Sequence, residues 1–229
     1  MAGVLFFLFI MAFVAIAVFG WLAAARRSKE LAAWAAAHGL RYSPGRDGSL
    51  ETVFPDFPCL RQGYNRYASN VMSGDWAGRP FCAFEYHYTT GSGRHKRHHR
   101  LSAAAMAGDV PLKPLHIRPE GLFDKVAGFF GFEDINFESA EFSRRFFVKA
   151  PNKRWAYDVI HPRAMEFLMA NPPFSIQFGL RRVICYRDRQ FAPEDFEAAC
   201  QVVAGLLDRL PEYVMRQQGS LGRSGQGEA

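Results

Sequence analysis

The chain has 229 residues, with 28 Lys and Arg against 22 Asp and Glu, for a formal charge of +6. Hydrophobic residues make up 49% and charged residues 22%, which excludes a collagen-like, mucin-like or wholly disordered polypeptide. The length suits one folded domain with additions, and four cysteines in a chain of this size do not make a disulfide scaffold.

Residues 1–25 carry no charged side chain, and only Gly3 and Gly20 interrupt the apolar run. As a helix the segment spans about 36 Å, enough to cross a hydrocarbon core of roughly 30 Å with some tilt. It has no polar face of the kind a helix at a soluble core would show. Ala23-Ala24-Ala25 could pass for a signal-peptide cleavage site. The run is too long for a signal core, however, and no basic residue precedes it. A single-pass transmembrane helix is therefore expected. Arg26, Arg27 and Lys29 follow it directly, which puts the remainder of the chain in the cytoplasm by the positive-inside tendency. Trp21 stands near the inner interface, and Cys59, Cys82, Cys185 and Cys200 show no close pairing, as in a reducing compartment.

Residues 26–39 read as a juxtamembrane helix or stalk. Leu31, Trp34, Ala35 and His38 share one face, and Gly39 is placed to cap the end. Residues 40–215 read as an α+β domain. Strands are expected over 70–76 and 79–90 around an Ala77-Gly78 turn, with Cys82, Phe84, Tyr86 and Tyr88 inward and Glu85 and His87 on a polar, outer face. Further strands are expected over 100–107, 115–118 (an edge, bounded by prolines), 145–150, 175–178 and 182–186. Helices are expected over 121–130, with Leu122, Phe123, Val126 and Phe129 inward, and over 163–170. A final helix carries Phe196, Ala199, Val203, Leu206, Leu207 and Leu210 on one side, with Pro193 in its first turn. Residues 216–229 read as a disordered tail. The elements do not alternate regularly, so the fold class is α+β: a transmembrane helix followed by one antiparallel-sheet domain with packed helices, including a C-terminal one. A pleckstrin-like barrel closed by that helix is one arrangement that would fit, by analogy.

The positive charge is local. Arg94, Lys96, Arg97 and Arg100, interspersed with His95, His98 and His99, occupy an acid-free connection between two strands. Together with Arg26, Arg27 and Lys29 they exceed the whole net charge. One reading of the connection is a solvated hairpin tip. The other is contact of all seven residues with anionic lipid headgroups or a protein partner, each charge near an anionic leaflet contributing about 1 kcal/mol. His95 and His98 have H-x-x-H spacing, but the surrounding cations and the lack of acid or cysteine argue against a metal, and none is expected. Nucleic acid is not expected either: 22 of the aromatic residues are Phe, suited to a core more than to base stacking.

No G-x-S-x-G, Walker A, H-E-x-x-H or G-x-G-x-x-G motif occurs, so no catalytic residue and no cofactor is assigned. Asp158 and His161, three apart, could share a helical turn, more simply as a helix-end contact than as an acid–base pair. Gly20 and Ala24 form a small-x-x-x-small pair that would permit self-association of the membrane helix.

The order of an apolar anchor, Asn70-Val71-Met72-Ser73-Gly74, Phe84-Glu85-Tyr86, the His/Arg-rich connection, Leu115-His116-Ile117-Arg118-Pro119-Glu120, Asp134-Ile135-Asn136-Phe137-Glu138 and Phe146-Phe147-Val148 resembles a group of uncharacterised bacterial single-pass membrane proteins. The resemblance implies a shared fold and anchor and transfers no activity or site residue. Two function classes stay open: a membrane-tethered binding or scaffolding module, and a membrane-associated enzyme of unidentified class.

Overall fold

The computed structural model describes residues 2–121 and 132–224. Helix α1 (Ala2–Ala37) is continuous from the apolar segment into the stalk, so the expected boundary at residue 25 is a change of surroundings within one helix. Over Phe6–Ala37 it reaches a mean hydropathy of 2.6, and its most apolar window is wholly exposed. The helix is therefore long and apolar enough to cross a membrane. It ends where Gly39 takes φ +66° and Leu40 N–H reaches back to the Ala35 carbonyl at 2.8 Å, a left-handed cap.

The strands are β1 (Arg41–Ser43), β2 (Tyr64–Trp76), β3 (Arg79–Thr90), β4 (Arg97–Ala107), β5 (Leu115–Pro119), β6 (Glu133–Asp134), β7 (Phe146–Ala150), β8 (Ser175–Phe178) and β9 (Arg182–Arg187). Among the described residues they form one antiparallel sheet in the order β1-β2-β3-β4-β9-β8-β5-β7-β6. Its two edges do not pair with each other, so the sheet is open and not the barrel suggested by analogy. The helices are α2 (Leu50–Val53), α3 (Ala140–Arg145), α4 (Lys153–Val159), α5 (Pro162–Ala170), α6 (Pro193–Asp208) and α7 (Glu212–Ser224).

Both faces of the sheet are covered. Phe81, Ala83, Ala104, Met106, Val183 and Cys185 belong to the larger core, with Leu31 and Trp34 of α1 and the apolar side of α6. Phe84, Tyr86, Leu101, Ala103 and Ile184 join Leu50, Phe54, Phe57 and Leu60 in a second cluster. This corrects the reading of β3 as half-buried: Glu85 is also buried, because α1 and the approach to α6 close over that face. β5 is likewise interior, with Ile117 opposite both Val148 and Ile176. Its proline stands at the last pair of the ladder, Pro119 with Phe146, where an absent N–H does not interrupt the pairing. The segment after Pro211, expected to lack structure from Arg216, continues as helix α7 to Ser224, with Val214 and Gln218 buried. The helix expected over 121–130 and the residues from 225 lie outside the described residues.

The β2–β3 hairpin turns through Ala77 (φ +53°) and Gly78 (φ +78°), with Trp76 paired to Arg79. Positive φ at both central residues matches the right-handed twist of the strands. β2 begins six residues before its expected start and carries two register shifts, near which Asn65 and Asn70 both take φ +51°. Asparagine tolerates that region better than most residues, and bulges re-aim side chains.

Candidate functional site

The bulge at Asn70 helps build a polar node at the foot of α1. Glu85, 2% exposed, accepts from Arg27 Nε at 2.6 Å and also from Arg27 Nη2. Asn70 Nδ2 donates to its other oxygen at 2.9 Å. Tyr42 OH donates to Asn70 Oδ1 at 2.6 Å and lies 2.9 Å from Ser28 Oγ. Arg27 Nη2 also donates to the Phe191 carbonyl at 2.6 Å, just before α6, and Phe191 N–H donates to Ser102 Oγ at 3.1 Å. A buried carboxylate requires such a set of partners, since an unpaired charge there would cost several kcal/mol. Sequence reading set Glu85 aside as part of a polar face. The available signal was a lone acid following Ala83 on a face that becomes apolar toward Phe81.

The node and an aromatic contact establish the direction of α1 over the sheet. Trp34 stacks on Trp76 at 5.9 Å, and Trp76 meets Phe81 at 5.7 Å. Passing from Trp34 back to Arg27 along α1 therefore corresponds to passing from Phe81 to Glu85 along β3. Beyond Glu85, β3 continues to Thr90 for about 17 Å, while only about 3 Å of helix separates Arg27 from Ala25.

The tip of that arm holds the basic connection. Gly91 takes φ +74°, and a Cβ there would collide with the His95 carbonyl oxygen, so the turn requires glycine. Arg94, Lys96 and Arg97 are exposed at the tip, and Arg100 is exposed further along β4, opposite His87. Arg26 and Lys29 are exposed on α1, Arg26 paired with Glu30 at 2.9 Å. Arg27 is not grouped with them, being turned into the domain against Glu85. Behind the tip a cleft of about 400 Å³ opens, with Arg46, Arg66, His87, His98 and Arg100 in its wall. Arg46 and Arg66 had escaped sequence reading because they enter from the residues before and at the start of β2. Burial, and next the charge of Arg100, lowers the His87 pKa.

A second, mostly apolar cleft of about 520 Å³ lies between Phe137, Tyr157, Ile160, Met165 and Met169. Asp158 and His161 do not pair: Asp158 accepts from Tyr213 OH at 2.6 Å, and His161 Nε2 lies 2.9 Å from the Arg209 carbonyl. Neither cleft is lined by a cysteine. Burial raises the thiol of Cys82 to about 12 and those of Cys185 and Cys200 well above the ordinary range, so these groups are not activated nucleophiles.

The architecture is thus that of an α+β domain carried on a long apolar helix. Comparison with solved structures finds the mycobacterial trehalose monomycolate transport factor A, TtfA, at a TM-score of 0.62 and 14% identity, covering 79% of this chain and 92% of that one. At that identity the likeness is one of fold. No family model and no curated protein matches the chain.

Proposed function

We propose that the protein is a membrane-tethered binding module, with α1 in the bilayer, the domain on the cytoplasmic side and the basic tip turned toward anionic headgroups. The observation that supports this is the opposed sense of α1 and β3. The strand that leaves Glu85 toward Thr90 runs in the direction in which α1 enters its apolar segment. A strand about 17 Å long beyond the node, against about 3 Å of helix before the apolar segment, is long enough to bring the tip to the headgroups. The tip carries Arg94, Lys96 and Arg97 without an acid, and Arg26 and Lys29 stand beside the node on α1. The fold neighbour is named for trehalose monomycolate transport.

The reading is tested with the full chain in nanodiscs that contain a lipid with a paramagnetic headgroup. Amide signals of residues 91–97 are expected to broaden, and those of the opposite hairpin end at Ala77-Gly78 to stay sharp. The broadening should grow with anionic lipid content and shrink in Arg94→Gln/Lys96→Gln/Arg97→Gln. Broadening centred on Ala77-Gly78, or independent of lipid charge, would reject the proposed orientation.

A further inference from the structure

The cleft behind the tip is assembled by strand register. Tyr67, His87 and Arg100 are successive partners across β2, β3 and β4, and Thr89 with His98 forms the next row. Arg46 closes one side, its guanidinium 4.6 Å from the centre of the Tyr67 ring. None of the ten residues lining the cleft is acidic. Three carboxylates stand around it: Glu85 is engaged by Arg27, Glu51 by Arg66 Nε at 2.8 Å, and Asp47, next to Arg46 in the chain, accepts from Ser49 N–H and Oγ at 2.7 and 2.6 Å. Arg66 further donates to the Arg61 and Gly63 carbonyls, so its role is to frame the cleft. Arg46 and Arg100 have no carboxylate partner among the described residues.

The imidazoles are oriented. His87 Nε2 lies 3.1 Å from Ser69 Oγ, and His98 Nδ1 lies 3.2 Å from Thr89 Oγ1. Each ring spends one nitrogen on a hydroxyl and keeps a second for a ligand. The Tyr67 ring stacks on His87 at 4.7 Å and holds it from one side. Two guanidiniums without a counter-charge, beside two positioned imidazoles, form a donor-rich, cationic wall. A carboxylate brings one charge and two oxygens to such a wall, whereas a phosphate group brings up to two charges and more oxygens for the arginines and imidazoles that line it.

We infer that this cleft binds a phosphate group, with Arg46 and Arg100 as its charge partners and His87 and His98 as hydrogen-bonding partners. The inference rests on the membrane reading only for the source of the phosphate, which is either a lipid headgroup or a phosphate in solution.

The test uses the full chain and reads the imidazole resonances of His87 and His98. In one arm the protein is held in sugar-detergent micelles and titrated with inorganic phosphate, against chloride at equal ionic strength. In the other it is placed in phosphatidylcholine nanodiscs with increasing phosphatidic acid. A saturable shift is expected in at least one arm. It should weaken about tenfold or more in Arg46→Gln/Arg100→Gln, which replaces two exposed side chains, and persist in Arg94→Gln/Lys96→Gln/Arg97→Gln. A response to phosphate in micelles assigns a soluble source, and a response to phosphatidic acid alone assigns a headgroup. No saturable shift in either arm, or an undiminished shift in the Arg46/Arg100 variant, overturns the inference. The micelle arm involves no bilayer, so its outcome is separate from that of the headgroup experiment on the tip.

Discussion

Arg27 Nε donates to Glu85 Oε1 at 2.6 Å across 58 positions of sequence, joining the first residues after the apolar segment to the middle of the central hairpin. Because Arg27 also holds the Phe191 carbonyl, α1, β3 and the start of α6 meet at one guanidinium. Arg27→Met would leave the Glu85 carboxylate buried without its counter-ion, at a cost of about 3–5 kcal/mol. Removing the charge as well, in Arg27→Met/Glu85→Gln, should restore most of that loss. Thermal midpoints of the full chain in micelles measure both. A double variant as unstable as the single one would show that the pair is not coupled.

The basic tip depends on Gly91. An alanine there has to adopt a left-handed φ and collides with the His95 carbonyl, which opens the turn that Lys96 N–H closes onto the Gly93 carbonyl at 3.4 Å. Gly91→Ala is expected to cost about 1–2 kcal/mol. Hydrogen exchange over 91–97 should quicken while exchange in β8 and β9 stays as it was. Unchanged exchange at the tip would count against this account.

His116 lies on interior β5, 4% exposed, between Lys149 and Gln177. Burial first, then Arg118 and Lys149, lowers its pKa from 6.5 to about 3. Below pH ~6.5 the unfolded chain binds a proton that the folded chain excludes, so stability is full above that pH and falls on acidification toward about 3. The slope is at most about 1.4 kcal/mol per pH unit for one proton. Between pH 7.5 and 5 the thermal midpoint of the wild type should fall further than that of His116→Gln, which lacks this titration. Equal falls would exclude His116 as the source.

The membrane orientation is open to thiol labelling, though not through the native cysteines. Cys59, Cys185 and Cys200 are fully buried, and burial raises the Cys82 thiol to about 12. Arg154→Cys, at the exposed start of α4, supplies a reactive site. In intact cells an impermeant maleimide should leave Arg154→Cys unlabelled, and permeabilisation should expose it. Labelling in intact cells would place the domain on the outer side.

Elements governed by neighbours in sequence were legible. The apolar run of α1, the 3.6-residue repeat of α6 with Pro193 in its first turn, and the Ala77-Gly78 hairpin are local patterns, and they are found where expected. β5 was misread as an edge because proline predicts the end of a ladder and says nothing of what lies on either side. The short helices α3 and α4 are capped by Ser139 and Asn152, which accept from Phe142 N–H and Trp155 N–H, but six and seven residues are too few for a repeat to declare itself.

The same division holds for function. The oily helix and the cluster of Arg94, Lys96, Arg97 and Arg100 are properties of composition over short stretches, which no fold can hide. That Arg27 turns away from its neighbours to meet Glu85, and that Arg46 joins Arg100 and His98 around one cleft, depends on strand register and on the direction in which α1 crosses the sheet. Charge neutralisation and burial act through space, so distant residues become partners only once the chain has packed, and tertiary structure alone decides which cations are spent and which remain for a ligand.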